Sequence, residues 1–326
     1  MIMAAGLGTR LRPLTYEMPK PMVPVLDRPV MAYAVALLEQ HGITEAIANL
    51  HHFPETIRSY FGERIAYSVE EEALGTAGGV RNCAEFFGEQ TFLVISGDAL
   101  TDVDLGALVA RHRQAGGVAT LAVKKVADAS GYGVVLHDAA GRITGFQEKP
   151  APAEALSELG NCGIYVFEPA IFDHFPDRPF ADWAEDVFPA LLERDVPFHI
   201  HEIDEYWCDV GSFEELRQGT FDVLEGRLSV EIPGERLDQG LFLGERSSLE
   251  GVALIEPPVW IGRDVEVGAY VRLQGPLVVG DRARIGDAAA LRDSIVFPGA
   301  EIAAETILVG AITSQGGVAD ALRPNV

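Results

Sequence analysis

Positive charge is scarce in this chain of 326 residues. It contains 25 lysines and arginines against 49 aspartates and glutamates, which gives a formal net charge of −24 at pH 7. Nucleic acids and anionic membranes are bound by an excess of cations, so we expect neither as a partner. An anionic substrate would have to be held by a local cluster of cations, because the field of the whole protein repels it.

Cysteines are few and long apolar runs are missing. The three cysteines share no motif spacing, and a reducing cytoplasm is the simplest setting for Cys83, Cys162 and Cys208. No apolar run reaches the roughly 18 residues of a membrane span, and the first residues lack the charged start of a signal peptide. We therefore predict a cytoplasmic protein.

In the first two thirds of the chain, strand-like and helix-like segments alternate. Short apolar segments typical of strands occur at 45–51, 91–96 and 118–126. The first helix-like segment begins near Pro29 and ends before Gly42, which suits a helix C-terminus. This alternation predicts a doubly wound, Rossmann-like α/β sheet, in which ligands bind beyond the carboxyl ends of the strands.

The last third of the chain repeats every six residues. Ten successive positions of this period are apolar: Leu243, Leu249, Ile255, Ile261, Val267, Leu273, Val279, Ile285, Leu291 and Phe297. The repeat becomes irregular at Ala303, before Val309 restores it. Such a period is typical of hexapeptide solenoids, so we predict a left-handed parallel β-helix domain over 241–326, after an α/β domain over 1–230.

A segment rich in glycine, proline and cations follows the first predicted strand: "GLGTRLRPLTYEMPKPMVPV", from Gly6 onward. Glycines let the backbone approach a ligand closely, and Arg10, Arg12 and Lys20 carry charges suited to phosphate. A Walker loop needs a Gly-Lys-Ser/Thr ending, and a dinucleotide fingerprint needs a third glycine where Leu11 stands, so neither fits. The alternative is an ordinary strand-to-helix turn with surface cations.

Several motifs, in order along the chain, resemble the nucleoside-diphosphate-sugar pyrophosphorylases, which join a sugar-1-phosphate to a nucleoside triphosphate. They are "GLGTRLRPLT" with "PKPMVPV", then "EEALGTAGG", "SGD", "YGVV", "FQEKP", "GNCGIY", "EDVFP" and "YWCDVG". The resemblance covers residues 1 to about 226, and the hexapeptide part resembles the C-terminal part of many members. The implied reaction brings two anions together, which requires positioning and charge neutralisation more than covalent chemistry.

The resemblance implies which residues bind the nucleotide. Arg10 and Lys20 would grip the triphosphate, stabilise the departing pyrophosphate and act as the catalytic residues. The remaining nucleotide contacts would come from the opening loop and from a base pocket: Ala5, Gly6, Gly8, Thr9, Leu74, Gly75 and Gly78. For the base-pocket group, a glycine-rich helix start is the alternative interpretation.

The resemblance also implies a sugar-phosphate site and a metal site. The sugar phosphate would contact Gly133, Glu148, Lys149 and Asn161, although adjacent charges such as the Glu-Lys pair are usually solvated. Asp98 and Asp209 are implied to be ligands of Mg²⁺, a cofactor that prefers hard oxygen donors. Taken alone, an aspartate after a strand is as often a helix N-cap.

Three functions stay open at this level. The motif "ALGTAGG" with the hexapeptide tail most resembles mannose-1-phosphate guanylyltransferases, which make GDP-mannose from GTP and mannose-1-phosphate. A glucose-1-phosphate thymidylyl- or uridylyltransferase is the alternative enzyme, and a catalytically silent nucleotide-sugar-binding paralogue is the alternative class. Some related enzymes carry a second, histidine-dependent acetyltransferase activity, which we do not expect because no histidine follows His201. We also expect a homo-oligomer built through the hexapeptide domain.

Overall fold

The computed structural model describes residues 1–238 and 240–321, which contacts divide into two compact units. Unit 1 contains Met1–Leu7, Pro19–Pro21 and Met31–Asp209, and unit 2 contains Gly8–Met18, Met22–Val30 and the chain from Val210 onward. In the described residues, no helix is both long enough and apolar enough to cross a membrane.

The domain boundary expected between residues 230 and 241 remains a prediction. The residues from Val210 onward already belong to the same compact unit as the repeats. One reason is a buried hydrogen bond, 3.0 Å long, that Arg217 Nη2 donates to the carbonyl oxygen of Gly310. A buried guanidinium needs such a partner, so the helix that carries Arg217 is packed on the repeats.

The main sheet of unit 1 has nine strands, in the order β10-β9-β11-β6-β1-β4-β5, with β8 beside β11 and β12 beside β8. Up to Asp209 the strands are β1 (Ile2–Met3), β2 (Pro24–Val25), β3 (Arg28–Pro29), β4 (Ile47–Leu50), β5 (Ala66–Val69), β6 (Phe92–Ser96), β7 (Ala99–Thr101), β8 (Ala119–Lys125), β9 (Gly133–His137), β10 (Ile143–Glu148), β11 (Leu159–Phe167), β12 (Phe198–Glu202) and β13 (Trp207–Asp209).

Helices connect these strands as the alternating pattern predicts. They are α1 (Val30–Gln40), α2 (Pro54–Phe61), α3 (Gly75–Asn82), α4 (Ala84–Phe87), α5 (Leu105–Ala115), α6 (Phe188–Glu193), preceded by a π-helical turn, and α7 (Phe213–Leu224). Gly42 follows α1 with a φ of +72°, a conformation that favours glycine at a helix end.

The Rossmann-like α/β prediction is confirmed, with one addition. The three predicted strands correspond to β4, β6 and β8, and β5, β4, β1 and β6 run parallel side by side. Strands β9, β10 and β11 pair antiparallel within the same sheet, which the alternation alone did not predict. Antiparallel pairs are joined by short loops, so no crossover helix marks them in the sequence.

The repeats form a parallel β-helix, as predicted, with three sheets. Its strands are β14 (Glu235–Asp238), β15 (Leu241–Leu243), β16 (Leu254–Glu256), β17 (Val259–Ile261), β18 (Glu266–Val267), β19 (Arg272–Gln274), β20 (Leu277–Val279), β21 (Arg284–Ile285), β22 (Ala290–Arg292), β23 (Ile295–Val296), β24 (Glu301–Ile302), β25 (Ile307–Val309), β26 (Ala311–Ser314) and β27 (Gly317–Ala321). The sheets are β14-β15-β17-β20-β23-β26-β27, β16-β19-β22-β25 and β18-β21-β24.

The six-residue column is correct up to Leu291 and wrong beyond it. Leu241 pairs with Val259 and Val259 with Leu277, so a regular coil takes 18 residues, or three hexapeptides. The next coil is one residue shorter, because Val278 pairs with Ile295. The core of the β-helix therefore receives Val296, Ile302 and Leu308, each one residue before the six-residue column. Phe297, the last apolar member of the predicted column, is also buried but is not part of this core cluster.

The shortened coil has a polar corner at Ser294. The Ser294 hydroxyl donates to the carbonyl oxygen of Arg292 at 2.6 Å and accepts from the amide of Ala311 at 3.1 Å. Ser294 is fully buried, and these bonds satisfy its hydroxyl while the chain turns with one residue fewer. The six-residue column stays apolar at Phe297, so the sequence shows the irregularity only at Ala303, after the corner itself.

Candidate active site

Two loops leave the carboxyl edge of the main sheet side by side. Met3, the last residue of β1, pairs in register with Ser96, the last residue of β6. The Gly97 amide donates to the Met3 carbonyl oxygen at 2.9 Å, and a Cβ on Gly97 would lie 2.9 Å from the same atom. Only glycine fits this approach without a shift, and it starts the loop that carries Asp98.

A long-range strand pair brings the two predicted metal ligands to the same edge. Strand β13 pairs antiparallel with β7, so that Asp209 lies opposite Ala99, the residue after Asp98. Lys20 Nζ forms an ion pair with Asp98 Oδ2 and lies 3.5 Å from Asp209 Oδ1. The Ser96 hydroxyl donates to Asp98 Oδ1 at 2.6 Å. Lys20, Asp98 and Asp209 therefore form one cluster.

The cluster is largely shielded from water, which strengthens its electrostatics. The Lys20 side chain is 12% exposed and that of Asp98 is 16% exposed. Burial by itself raises the pKa of Asp98, but the Lys20 ammonium and the hydrogen bonds from Lys20 and Ser96 outweigh it, so the pKa lies below its usual value. Asp98 is thus held as a carboxylate.

This cluster has the donors that suit a magnesium ion. Two carboxylates already converge on one cationic group, the Lys20 ammonium. Mg²⁺ takes hard oxygen ligands and is commonly held by one or two carboxylates with substrate phosphates completing its shell. Across the described residues no set of three or more histidine, cysteine or acidic side chains could hold a metal. Asp98 and Asp209 would be the carboxylate ligands of such a metal, with water or substrate oxygens completing its shell.

The predicted loop ligands are divided between the units. Ala5 and Gly6 belong to unit 1, and Gly8, Thr9 and Arg10 belong to unit 2. In unit 2, Gly8 adopts a φ of +62°, and its carbonyl oxygen accepts from the Thr15 hydroxyl at 2.8 Å. The Arg10 side chain is 54% exposed, and its Nη1 lies 3.9 Å from Glu215 Oε2. The loop is thus ordered by bonds within its own unit.

The predicted base-pocket glycines pack against another segment of the same unit. A Cβ on Gly75 would lie 2.4 Å from the Ala181 carbonyl oxygen, and one on Gly78 would lie 2.7 Å from that of Pro179. Leu74 accepts a hydrogen bond from the Ala181 amide at 2.9 Å. The two segments lie too close together for a side chain at position 75 or 78, so their packing requires glycine there. The motif alone did not indicate this packing requirement. The contact of these residues with a base stays a prediction.

The predicted sugar-phosphate residues lie on adjacent strands. Gly133 on β9 pairs with Glu148 on β10, and a Cβ on Gly133 would lie 2.4 Å from the Phe146 ring and 3.1 Å from Glu148 Oε2. Lys149 Nζ forms an ion pair with Glu148 Oε1 at 2.9 Å, and the lysine side chain is 57% exposed. This pair is accessible, as a group that binds a phosphate from solution must be.

Trp207 connects the segment around Asn161 and Lys149 to the cluster of Lys20, Asp98 and Asp209. Its indole N–H donates to the Cys162 carbonyl oxygen at 2.9 Å, one residue after the predicted ligand Asn161. Its ring centroid lies 5.0 Å from that of Tyr132, whose carbonyl oxygen accepts from the Lys149 amide at 3.1 Å. Because Trp207 begins β13, these contacts hold the strand that ends at Asp209.

Four side chains that organise this edge were not predicted from the sequence: Asn49, Glu70, Ser96 and Trp207. Ser96 and Trp207 stand inside the quoted motifs "SGD" and "YWCDVG", so their position was a usable signal. Asn49 lies on a buried strand, and Glu70 begins an acidic run that reads as a solvated surface. Their burial depends on long-range packing, which no local pattern reveals.

The chain is similar to known proteins over most of its length, and residues 1–226 match the nucleotidyl transferase family. A UTP–glucose-1-phosphate uridylyltransferase from Synechocystis sp. is 40% identical over 91% of this chain and 82% of that protein. A mannose-1-phosphate guanylyltransferase from Mycobacterium tuberculosis is 32% identical over 85% and 79%, respectively. A solved structure from Bacillus anthracis, described as a glucose-1-phosphate thymidylyltransferase, has the same fold, with a TM-score of 0.63 at 24% identity, and the match covers 71% of this chain and 96% of that one. The chain therefore belongs to the nucleotidyl transferase family.

Proposed function

We propose that this enzyme transfers a nucleoside monophosphate from a nucleoside triphosphate to a sugar-1-phosphate. An oxygen of the sugar phosphate attacks the α-phosphorus, the bond to the β-phosphate breaks, and pyrophosphate leaves. The observation that carries the proposal is the shielded cluster of Lys20, Asp98 and Asp209 at the carboxyl edge of the sheet. Transfer between two anions requires positioned cations and metal-binding carboxylates, which this cluster provides.

Each member of the cluster has a separate role in this proposal. Asp98 and Asp209 would hold Mg²⁺, which when bound neutralises phosphate charge. Ser96 orients Asp98 through its hydrogen bond. Lys20, whose ammonium is mostly removed from water, binds phosphate and stabilises the charge that develops on pyrophosphate. Arg10 contributes a second cation for the same purpose.

The remaining predicted contacts complete the proposal. Ala5, Gly6, Gly8 and Thr9 offer backbone groups to the nucleotide, and Leu74, Gly75 and Gly78 border the base. Lys149, which is accessible and beside Glu148, binds the sugar phosphate. Glu148 accepts hydrogen bonds from sugar hydroxyls, whereas the Asn161 amide can accept from one hydroxyl and donate to another.

Two substrate pairs are supported by different observations. The uridylyltransferase at 40% identity, matched over 91% of this chain, favours UTP with glucose-1-phosphate. The "ALGTAGG" motif with the hexapeptide tail, and guanylyltransferase relatives at 30–33% identity, favour GTP with mannose-1-phosphate. We place UTP and glucose-1-phosphate first, because the identity is higher, 40% against 30%, over the same 91% of the chain.

Pyrophosphate release tests both the reaction and the substrate pair. Purified protein with Mg²⁺ is incubated with UTP, GTP or dTTP, each combined with glucose-, mannose- or N-acetylglucosamine-1-phosphate. Release that is fastest with UTP and glucose-1-phosphate supports our first pair, and preference for GTP and mannose-1-phosphate supports the second. If no pair releases pyrophosphate while a nucleotide sugar still binds, the protein is a silent paralogue and the proposed reaction is wrong.

We also propose that the enzyme assembles as a homo-oligomer through its repeats. The outward side of the sheet β16-β19-β22-β25 exposes large apolar side chains, with Ile307 78%, Val309 44% and Leu254 38% exposed. Ile307 and Val309 project from the same side of the edge strand β25, whereas Arg272 and Ala290 separate Leu254 from them. We therefore expect the apolar contact with another copy at β25. Sedimentation velocity at micromolar concentration should show an oligomer that Ile307→Glu weakens. A monomeric full-length protein would contradict this proposal.

A further inference from the structure

A buried chain of hydrogen bonds runs from the end of β1 to the start of the base segment. The Ala4 amide donates to Asn49 Oδ1 at 2.9 Å, and Asn49 Nδ2 donates to Glu70 Oε1 at 2.7 Å. The other carboxylate oxygen, Glu70 Oε2, accepts from the Leu74 amide at 3.0 Å. Asn49 is 3% exposed and Glu70 is 4% exposed, so water does not replace these bonds.

The direction of these bonds explains why a charged residue is buried here. Both ends of the chain, Ala4 and Leu74, are backbone N–H groups, which can only donate. An amide such as Asn49 accepts on one side and donates on the other, so the next group must accept on both sides. Only a carboxylate does so. Flipping the Asn49 amide would not help, because its NH₂ would then face the Ala4 N–H.

Gly79 leaves the space that this pair of side chains occupies. A Cβ on Gly79 would lie 2.4 Å from Asn49 Nδ2 and 2.6 Å from Glu70 Oε1. The second glycine of "AGG" is therefore required by the hydrogen-bonded pair, and helix α3 packs directly on it. Asn49 and Glu70 are thus fixed from three sides: β1, α3 and the segment that begins at Leu74.

We propose that Asn49 and Glu70 are positioning residues of nucleotidyl transfer. They fix the spacing between Ala4, where the segment leading to Gly6 begins, and Leu74, where the predicted base segment begins. They set nucleotide affinity through this spacing and need no contact with the substrate, since both Glu70 oxygens already accept bonds within the protein. This inference rests on the proposed function.

A donor–acceptor exchange tests the inference. Glu70→Gln places an NH₂ group against a donor, either Asn49 Nδ2 or the Leu74 amide, and leaves one buried donor without an acceptor. We expect the KM for the nucleoside triphosphate to rise roughly tenfold or more, with a smaller change in kcat. Asn49→Asp alone places two carboxylates face to face and should be at least as harmful.

The double variant Asn49→Asp/Glu70→Gln restores all three hydrogen bonds, and only the bond between positions 49 and 70 changes direction. The carboxylate at position 49 accepts from the Ala4 amide and from the new amide at position 70, which in turn accepts from Leu74. We expect its nucleotide KM to return to within about threefold of the wild type. Glu71→Gln, an exposed neighbour with the same loss of charge, is the control and should change little.

Hydrogen exchange at the Ala4 and Leu74 amides gives a readout that does not depend on turnover. It should be faster in Glu70→Gln and return to the wild-type rate in the double variant. If the double variant keeps the raised KM or fails to fold, Glu70 acts by its charge or by touching the base, and the inference is wrong. Unchanged exchange and KM in Glu70→Gln would also overturn it. An inactive wild type would contradict the proposed function alone, because the exchange measurement would still test the hydrogen bonds.

Discussion

The parallel β-helix and the carboxyl edge of the main sheet are specified in different ways. In the β-helix, a residue's partners lie one coil away, at a separation that changes by only one residue, as in the pairs Leu241–Val259 and Val278–Ile295. At the sheet edge, Lys20, Asp98 and Asp209 meet although the chain between them crosses many elements. A local pattern can therefore predict the first region, whereas the second requires knowledge of strand order.

The difference has an energetic consequence. Side chains inside the β-helix remove apolar surface from water, so their loss costs stability. Side chains at the sheet edge hold charges close together with little exposure, an arrangement that serves chemistry and binding. Substitutions in the two regions should then separate stability from activity, and the four predictions below test that separation.

The largest effect is expected for Asp98→Asn. Loss of a preorganised charge commonly costs about 3–4 kcal/mol in the transition state, so kcat should fall by roughly 10²–10³-fold. The fold should stay intact, since asparagine keeps the shape and can still accept from Ser96. Steady-state rates of pyrophosphate release and a thermal unfolding curve measure the two effects, with the exposed Asp177→Asn as control. Near-normal activity in Mg²⁺ would remove Asp98 from the site.

Leu308→Ala should do the opposite and lower stability without changing activity. Leu308 is 6% exposed in the core of the last coil, and its truncation should cost about 2–3 kcal/mol. Val309→Ala is the matched comparison: Val309 is 44% exposed within one chain, and its truncation should cost less than about 0.5 kcal/mol at dilutions where the proposed oligomer has dissociated. Urea denaturation gives both values. If Val309→Ala proves the more harmful change, the one-residue shift at Ser294 is wrong.

Arg10→Ala should lower kcat by roughly ten- to a hundredfold. A hydrogen bond to a charged group contributes about 1.5–3 kcal/mol, and in our proposal Arg10 makes it to the leaving pyrophosphate. Arg12→Ala removes a cation of the same segment, one that stacks on the Tyr16 ring at 5.1 Å, and should have little effect on kcat. Measuring kcat and KM separately decides the role. A change confined to KM would mean that Arg10 binds only the ground state.

The smallest effect is expected for Ser96→Ala. It removes one hydrogen bond to Asp98 while the Lys20 ion pair remains, so kcat should fall by about two- to tenfold. Ser157→Ala removes a hydroxyl that accepts from the Leu159 amide and should leave kcat unchanged. Pyrophosphate release again provides the measurement. A loss as large as that of Asp98→Asn would mean that Ser96 contacts a substrate itself.

Much of the fold was predictable because its signals are local. Strands β4, β6 and β8 were recognised as short apolar segments, and the β-helix was recognised from its period up to Leu291. The antiparallel strands β9, β10 and β11 were not recognised, since the short connections between them contain no helical pattern. The change at Ser294 was also missed, because an apolar residue stands on both sides of the true core position: Ile295 and Phe297 flank Val296.

The candidate site was predictable only where a motif marked it. Lys20, Asp98 and Asp209 were selected by resemblance, and the structure brings them together through the pairing of β13 with β7. The glycines at 75 and 78 were selected for a base pocket, yet the structure also shows close backbone contact there with Pro179 and Ala181. Asn49 and Glu70 were not selected at all, since no local sequence pattern shows that a polar residue on a strand or in an acidic run is buried.

The sequence by itself determined the alternation of strands and helices in the first part of the chain, the β-helix period up to Leu291 and the family motifs, because these depend on side chains a few residues apart. Tertiary structure alone decided which strands are neighbours, and therefore that Asp209 lies beside Asp98 and that Ala4 is tied to Leu74 through Asn49 and Glu70. The physical reason is that strand pairing and the burial of polar groups are set by contacts between distant segments, which compete for the same core.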